Sequence, residues 1–382
     1  MAGRWRARMG GGCMSIATPV GGGPLRAANQ RTDPHSPFSP LARAYLEVSA
    51  EVRDQGLLER AQWLYLLVGV ALTVGLLGAG TGLVLLGDSW WQLLIAAGMG
   101  VLLTQVAFLA HEAGHRQVLR SGPANDRLAR LLAAGVVGIS YGWWDSKHSR
   151  HHGNPNRIGK DPDIEMDTIT FLEADAASTT GLVRLVAQRQ GWLFFPLLTF
   201  EGLNLHYQGI RHLVQRGPVR GRWIELSLIA GRFTVGLGLV FWFLPLGLAL
   251  AFLAVQLGVF GVYMGASFAP NHKGMPIIDR DARLDFFSKQ VRTSRNISGG
   301  WWATWLMGGL NYQIEHHLFP NMPRPHLARA RRIVRRQCDR LGVPYAETTL
   351  WRSYGIVIRY LNRVGLAAKD PFECPMNGLR RG

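Results

Sequence analysis

The sequence predicts an all-α integral membrane protein with four transmembrane helices in two hairpins. Three observations support this fold class. Apolar residues concentrate in four runs of about 20 residues, the length that crosses the hydrocarbon core of a bilayer. Short turns join the runs in pairs. Of the 42 Lys and Arg residues, only Arg232 lies inside a run, and neither connecting turn carries one.

The predicted spans cover residues 63–86, 91–110, 224–244 and 247–270. The first pair is joined around Asp88 and the second around Pro245. Basic residues lie before, between and after the two hairpins, and cytoplasmic loops carry an excess of Lys and Arg. We therefore expect a multi-pass protein with both termini on the cytoplasmic side, where the remaining segments form a helical cap.

The chain is predicted to form one membrane domain, residues 41–350, followed by a cytoplasmic tail, residues 351–382. Residues 1–40 are rich in Gly, Pro, Arg and Ser and have no apolar period, so we expect a disordered arm. Two further apolar segments are not expected to span the membrane. The segment 128–144 is too short, and a glutamate interrupts the segment 191–205.

The charge and the cysteines exclude some classes of protein. The net charge of +17 does not require nucleic acid, because basic residues facing anionic lipid account for it in a protein with four spans. We expect no nucleic-acid partner. The three cysteines show no Cys-x-x-Cys spacing, so the sequence predicts neither a disulfide framework nor a thiolate metal site.

Three histidine clusters lie at the ends of the apolar runs, all on the predicted cytoplasmic side. They are His111 and His115, then His148, His151 and His152, and finally Gln313, His316 and His317. Neutral imidazole is a good ligand for transition metals, and residues three or four apart share one face of a helix. Seven histidines are too many for one tetrahedral site, so a pair of metal ions is predicted.

Each cluster also has an ordinary structural alternative. His111 and His115 could simply be placed favourably near the negative end of a helix, and the other clusters could be parts of basic loops. Glu112 could orient an imidazole, and the carboxylate of Asp161 follows closely after the second cluster. The convergence of all clusters at one membrane face favours the metal site.

Three further residues are weaker candidates. His272 follows Asn271 at the end of the fourth run and would add an eighth imidazole at the same level. Gln313 could bind a metal directly, bind through water, or only form a hydrogen bond. Arg232 could mark a functional site within the membrane. We expect it instead to snorkel or to pair with Glu225 or Glu201.

These motifs and their flanking residues resemble the membrane-bound histidine-box fatty acid desaturases. The similarity covers roughly residues 42–350 and extends beyond the boxes. It includes Gly138 through His148, Pro155-Asn156 with Gly159 through Ile164, and Gly309 through Pro320. Glutamine in the first place of the third box is similar to one branch of that family.

The resemblance implies two non-haem iron ions, with O2 as co-substrate. It also implies that the reaction introduces a double bond into a fatty acyl chain, which is carried by coenzyme A or by a phospholipid. The implied ligands are His111, His115, His148, His151, His152, His272, His316 and His317. Many members of the branch carry a fused cytochrome b5 domain with a His-Pro-Gly-Gly motif. That motif is absent from this sequence, so electrons are expected from a separate protein. A ferredoxin or an NAD(P)H-dependent flavin and iron–sulfur reductase would supply them.

Other functions on this topology were weighed against a desaturase. A fatty acyl or lipid hydroxylase would use the same scaffold and metal pair. A metal transporter would need polar ligands within the spans, which are nearly free of them. A metal-dependent hydrolase would use fewer histidines. For a desaturase we expect a narrow acyl tunnel between spans and cap. The arginine-rich stretch 329–336 would then contact coenzyme A phosphates or anionic phospholipid.

Overall fold

The computed structural model describes residues 40–369, and this part of the chain is mostly helical. The α-helices are α1 Pro40–Asp54, α2 Gln62–Leu86, α3 Gln92–Gly114, α4 Gly122–Arg130, α5 Tyr141–Gly153, α6 Glu173–Ser178, α7 Gly181–Ala187, α8 Gln190–Leu197, α9 Glu201–Val214, α10 Arg222–Phe243, α11 Leu246–His272, α12 Phe286–Thr293, α13 Trp301–Leu306, α14 Gln313–Leu318, α15 Leu327–Leu341 and α16 Leu350–Leu366. The arm predicted to be disordered lies almost entirely outside the described residues.

Shorter elements connect these helices. They are the π-helical segment Leu131–Val137 and the 3₁₀ segments Leu198–Phe200, Leu310–Tyr312 and Arg324–His326. Two three-residue strands, β1 Asn296–Ser298 and β2 Glu347–Thr349, pair in parallel, with Asn296 opposite Glu347. The predicted helical class is therefore confirmed, apart from this one short ladder.

Four helices, α2, α3, α10 and α11, are long and apolar enough to cross a membrane. They contain 25, 23, 22 and 27 residues, against about 20 needed for the hydrocarbon core. They match the four predicted spans, and the largest difference is at the end of the second, predicted at 110 and found at Gly114. No other helix within residues 40–369 meets these criteria of length and composition, including the helices formed by the two short apolar segments.

The turns of the two hairpins meet at one end of the four helices. Leu83 of α2, Ala96 of α3, Val240 of α10 and Phe252 of α11 belong to one buried cluster there. Because α3 and α11 both run away from this cluster, they end at the opposite end of the bundle. Their last turns carry the first histidine box and His272.

Helix α11 lies at the centre of the bundle, where small residues allow close approach of its neighbours. A Cβ on Gly100 of α3 would lie 2.8 Å from the carbonyl oxygen of Gln256 in α11. A Cβ on Gly261 would lie 2.4 Å from the carbonyl oxygen of Leu198 and 2.5 Å from the amide nitrogen of Gly202. Glycine therefore lets the backbones of α3 and α9 contact α11 directly.

Arg232, the charge inside α10, is held by the backbone of the π-helical segment. Its Nε donates a hydrogen bond of 2.7 Å to the carbonyl oxygen of Val136. Of the two expected alternatives, snorkelling or pairing with Glu225 or Glu201, the pairing is not found among the described residues. Glu225 accepts instead from Arg130 at 3.0 Å, and Glu201 accepts from Asn204. The irregular π segment supplies the acceptor, which no sequence spacing would have revealed.

A second core lies beyond the ends of the spans and forms the cap. Helix α15 presents Ala330, Val334 and Cys338 to Val48 and Val52 of α1, and all five side chains are buried. The same cluster includes Ile314 and Leu318 of α14. The short helix of the third histidine box is thus fixed between the spans and the packed pair α1 and α15.

The segment predicted as a tail begins inside helix α16, which packs against α8 and α11. Val357 and Leu361 of α16 share a buried cluster with Phe194 of α8 and Ala269 of α11. The hydroxyl of Ser353 donates to the carbonyl oxygen of Pro270 at 2.8 Å. Helix α16 therefore buttresses the end of α11, where His272 lies.

Candidate metal centre

The first histidine box lies at the end of α3. His111 is in the last turn of the helix and is buried, and His115 follows immediately after the helix and is half-buried. They are four positions apart in sequence, so both rings project from one face, with ring centroids 4.6 Å apart. The apolar span thus places two imidazoles where the span ends and the cap begins.

The second box lies on α5. Ser140 begins this helix by accepting a 3.1 Å hydrogen bond from the amide nitrogen of Trp143, a typical N-cap. His148, His151 and His152 then fall within the last two turns. His151 is buried, whereas the other two are half-buried. Helix α5 lies across the ends of the spans, so its three imidazoles face those of α3 and α14.

The third box and His272 complete the set. His316 and His317 lie on the six-residue helix α14 and are fully buried, and His272 is the last residue of α11. Arg295 donates to the carbonyl oxygens of Pro270 and Lys273, including a 2.9 Å bond to Lys273. It thereby satisfies carbonyls at the end of α11 and fixes the direction of His272.

Four imidazoles form a first group: His111, His115, His148 and His316. Their candidate ligand atoms all lie within 4.8 Å of one another. The Nε2 of His148 is 3.1 Å from that of His111, 2.9 Å from that of His115 and 3.0 Å from that of His152. One ring nitrogen carries at most one proton, so it cannot satisfy three such neighbours by hydrogen bonding.

Three imidazoles form a second group: His151, His272 and His317. Each has its Nδ1 engaged. His151 Nδ1 is 3.0 Å from the carboxylate of Asp161, His272 Nδ1 is 3.0 Å from the carbonyl oxygen of Thr293, and His317 Nδ1 is 2.9 Å from the amide oxygen of Gln290. In each case an acceptor fixes the tautomer with the proton on Nδ1, so the lone pair is on Nε2, the atom that would bind a metal ion.

His152 lies between the two groups. Its ring stacks on that of His317, with centroids 4.2 Å apart and planes 12° apart, and its centroid is 4.8 Å from that of His316. Its Nε2 faces His148 of the first group at 3.0 Å. The two groups are therefore bridged by an imidazole and form one continuous cluster of eight histidines.

Burial keeps most of these imidazoles neutral. It lowers the pKa of His115, His148, His152, His316 and His317 well below the usual value for histidine. His151 is the exception. Burial acts to lower its pKa, but the carboxylates of Asp163 and Asp161 outweigh burial and raise it. Neutral imidazole is the form that binds a metal ion, so the protonation states suit ligation.

The buried polar atoms without partners provide a test of whether a metal fits. The Nε2 atoms of His316 and His317 are buried and have no hydrogen-bond partner. Leaving such atoms unpaired costs about 1–3 kcal/mol each. Both atoms lie within the two groups, where other Nε2 atoms are about 3 Å apart. Metal ions as the missing partners would explain this arrangement. The donor set fits transition-metal ions.

Four weaker candidates from the sequence have defined contacts. Asp161 accepts from His151, as expected of a residue that orients a ligand. The amide nitrogen of Gln313 is 2.9 Å from Nε2 of His272, and its oxygen accepts from Asn271 at 3.0 Å. Gln313 therefore lies at the second group, with Asn271 behind it. Glu112 does not orient an imidazole in the structure; its hydrogen bonds go elsewhere.

Glu112 instead forms an ion pair that sequence reasoning missed. Its two carboxylate oxygens accept from Arg324 at 2.9 and 2.6 Å, and one also accepts from the hydroxyl of Tyr65 at 3.2 Å. Glu112 and Arg324 are both buried. The sequence around Arg324 is rich in proline and arginine and gives no signal for this pairing. The roles of Gln290 and Thr293 had no signal at all.

The fold and the site together define a membrane protein whose helices present clustered histidines able to bind metal ions. A profile of the fatty acid desaturase family matches residues 88–349, which is more than half of the chain. The chain belongs to the fatty acid desaturase family. It is therefore an oxidoreductase.

Three relatives illustrate the similarity. A Delta(8)-fatty-acid desaturase of Helianthus annuus is 28% identical over 357 residues, covering 87% of this chain and 75% of the relative. A Delta 8-(E)-sphingolipid desaturase of Lachancea kluyveri is 27% identical over 362 residues, covering 87% and 62%. An acyl-lipid (9-3)-desaturase of Borago officinalis is 30% identical over 288 residues, covering 71% and 63%. The chain thus spans only about three fifths of the latter two.

Proposed function

We propose that this chain is an O2-dependent desaturase that inserts a double bond into a fatty acyl chain, using two iron ions held by its eight clustered histidines. The observation that carries the proposal is the division of these histidines into two adjoining groups, each of which contains a buried Nε2 atom without a hydrogen-bond partner, on His316 and on His317. Membership of the desaturase family supplies the reaction class. The hydroxylase alternative would use the same centre and is distinguished by its product.

The ligand assignment follows the two groups. His111, His115, His148 and His316 would hold one iron, and His151, His272 and His317 would hold the other. His152 lies between the groups and would complete one of them. Gln313 lies 2.9 Å from the ring nitrogen of His272 and would complete the second group, directly or through water.

When bound, the iron pair with O2 and two electrons supplies the oxidant that removes two vicinal hydrogens from a saturated chain. The overall reaction is –CH2–CH2– plus O2, two electrons and two protons, giving –CH=CH– and two water molecules. The protein contributes binding, orientation and exclusion of water. Imidazole would also suit other transition metals, and the oxidation of an unactivated methylene is what selects iron.

Aromatic side chains would exclude water from the centre. The indole of Trp144 stacks on His148, with ring centroids 4.5 Å apart, and Phe268 contacts His111 at 6.2 Å between centroids. Phe108, which is fully buried, lies behind Phe268 at 6.3 Å. These rings also restrict the rotamers of the imidazoles, so the ligands are positioned before any substrate arrives.

The sidedness and the electron source are further parts of this proposal. We infer that both termini, the cap and the metal centre are cytoplasmic, because the loops on that side carry the basic residues. Residues 41–350 would form the desaturase domain. Electrons would come from a separate donor, such as a ferredoxin or an NAD(P)H-dependent flavin and iron–sulfur reductase.

The test is the fatty-acid profile of cells that express the chain with a matched reductase, beside a His316→Ala/His317→Ala control. A new unsaturated acid that is absent from the control would support the proposal and give the double-bond position. A hydroxy acid would favour the hydroxylase. Purified protein that contains no iron by elemental analysis, together with no new lipid, would overturn the proposal.

A further inference from the structure

A large apolar cavity lies between the central span and the cap. Its volume is about 1130 Å³, and its walls come from α11, the segment before α9, α13 and the start of α16. None of the side chains that line it is charged. A cavity of this size and composition is suited to a hydrocarbon chain, since each CH2 removed from water contributes about 0.8 kcal/mol.

The cavity extends along a membrane span. Its α11 wall runs from Ala254 to Ser267, which corresponds to about 20 Å of helix at 1.5 Å per residue. These residues belong to a helix long and apolar enough to cross the bilayer. Most of the cavity therefore lies at the depth of the hydrocarbon core, which an acyl chain reaches without passing through water.

The outer rim of the cavity is formed by exposed apolar side chains. Phe200 is 66% exposed, Leu203 59% and Trp351 79%. Trp302, also at the rim, belongs to α13, where Trp301 is 78% exposed. Exposed tryptophans beside membrane spans are typical of the bilayer interface, where an amphipathic ring contacts both lipid tails and head groups. The opening therefore faces lipid.

The inner part of the cavity approaches the metal centre through aromatic rings. Tyr263 and Met307 line the cavity and share a cluster with Phe108 and Phe268. The ring of Phe268 in turn lies 6.2 Å from that of His111. The aromatic rings of Phe108 and Phe268 thus lie between the cavity and the first histidine group.

A second apolar cavity, between α2 and α3, lacks this connection. Its volume is about 830 Å³, and its lining includes Tyr65. The hydroxyl of Tyr65 is hydrogen-bonded to Glu112 at 3.2 Å and to Gln117 at 3.1 Å. A buried polar network, instead of an apolar layer, therefore borders this cavity on the side of the first box. It serves as the internal control.

The basic surface expected for coenzyme A is largely paired with carboxylates. In the stretch 329–336, Arg331 forms a bidentate pair with Glu347, and Arg336 contacts Glu51 at 2.5 Å. Arg335 lies 3.9 Å from Glu347. These contacts tie α15 to neighbouring elements and leave fewer cations for phosphate groups than the sequence predicted.

We propose that the cavity along α11 binds the acyl chain of a bilayer lipid, which enters sideways between α9 and α13 while its head group stays at the tryptophan-rich rim. This inference rests on the proposed desaturase function and adds to it the carrier of the substrate: a membrane lipid instead of a soluble thioester. Gly258 is the position that tests it. It lines the cavity, and a Cβ there would meet only the carbonyl oxygen of Thr199, at 3.9 Å.

The experiment uses the full chain in vesicles of phosphatidylcholine that carries a photoactivatable diazirine on one acyl chain. We expect labelling of α11 between Ala254 and Ser267, reduced about tenfold by Gly258→Phe because the added ring fills the cavity. Gly69→Phe is the matched control, since Gly69 lines the second cavity and a Cβ there has no atom within 4 Å. Ala254→Phe, at an exposed position of the same wall, replaces Gly258→Phe if that variant does not fold.

A parallel assay presents one saturated chain either in phosphatidylcholine or as the coenzyme A thioester, with a reductase present. Desaturation of the lipid-bound chain, lost in Gly258→Phe and retained in Gly69→Phe, supports the inference. Preferential desaturation of the thioester, or equal labelling of both variants, overturns it. Labelling of α11 without any desaturation would instead contradict the proposed function and leave the lipid site standing.

Discussion

Glu112 and Arg324 form a buried ion pair that joins the first histidine box to the segment after the third. The guanidinium donates to both carboxylate oxygens, at 2.9 and 2.6 Å, across 212 positions of sequence. Burial opposes the charge on Arg324, but Glu112 outweighs burial and raises the pKa of the guanidinium, so Arg324 stays charged. The pair fixes the end of α3 against the segment that follows α14 and thereby restrains the distance between the first and third histidine boxes.

Removing one partner of this pair should destabilise the protein. We expect Arg324→Met to lower the free energy of unfolding by about 3–5 kcal/mol, because a buried carboxylate loses its counter-charge. Denaturant unfolding in detergent micelles measures the change. Arg336→Ala is the control, since its pair with Glu51 is on the surface, and its midpoint should not move. An unchanged midpoint in Arg324→Met would show that the pair contributes nothing.

Asp161 should act as a positioning residue for His151. Its carboxylate lies 3.0 Å from Nδ1 of His151 and also accepts from the amide nitrogen of Asn156 at 2.6 Å. Replacing it by Asn removes the charge that supports the imidazole, so we expect iron affinity to fall about 10–100-fold. Competition with a chelator measures the affinity, and thermal unfolding of the metal-free protein serves as the second readout.

The two readouts separate positioning from general stability. A merely structural role for Asp161 would lower the unfolding temperature of the metal-free protein and leave the chelator titration unchanged. Asp339→Asn, at an exposed position of α15, should alter neither measurement. If Asp161→Asn binds iron as tightly as the native protein, the assignment of Asp161 to this role is wrong.

Gly261 should tolerate no side chain. A Cβ there would lie 2.4 Å from the carbonyl oxygen of Leu198 and 2.5 Å from the amide nitrogen of Gly202, both backbone atoms that cannot move away. We expect Gly261→Ala to destabilise the protein by about 1–3 kcal/mol through overpacking. The comparison is Gly238→Ala in α10, where a Cβ meets nothing within 4 Å. Equal unfolding midpoints for the two variants would refute the close approach of α9 to α11.

Cys338 should resist alkylation in the folded protein. Burial raises the pKa of its thiol to about 12, with smaller contributions from Glu315 and Asp339, so the thiolate fraction at pH 8 is ~10⁻⁴. Because the thiolate is the reactive form and its fraction rises with pH, the rate of labelling should increase about tenfold per pH unit between pH 8 and pH 11. Iodoacetamide labelling followed by mass spectrometry measures it, in a Cys13→Ser/Cys374→Ser background. Rapid labelling at pH 8 without denaturant would contradict the packing of α1 on α15.

The sequence revealed those features that depend on local patterns. The four spans follow from runs of apolar residues, and the histidine boxes follow from spacings of three and four residues on single helices. His272 was expected beside them because it ends the fourth span at the same level. For all of these, a short stretch of chain carries the whole signal, and the role of the histidines as ligands stays a prediction.

The remaining features depend on contacts between distant segments. Arg232 was expected to snorkel or to pair with a glutamate, but its Nε donates to the carbonyl oxygen of Val136 in a π-helical segment. Glu112 was a candidate for orienting an imidazole, but its oxygens accept hydrogen bonds from Arg324 and Tyr65. Side-chain partners of this kind depend on tertiary packing, and the pattern of hydrophobic residues in the sequence does not predict them.

The distance in sequence between Glu112 and Arg324 has a consequence for biosynthesis. At 5–20 residues per second, the ribosome needs about 10–40 s to make the 212 positions that separate them. During that interval the carboxylate of Glu112 has no guanidinium partner, and the imidazoles of the first box precede those of the third. On the proposed ligand assignment, both metal sites would be complete only after His316 and His317 have been made, so metal loading would follow synthesis of the third box.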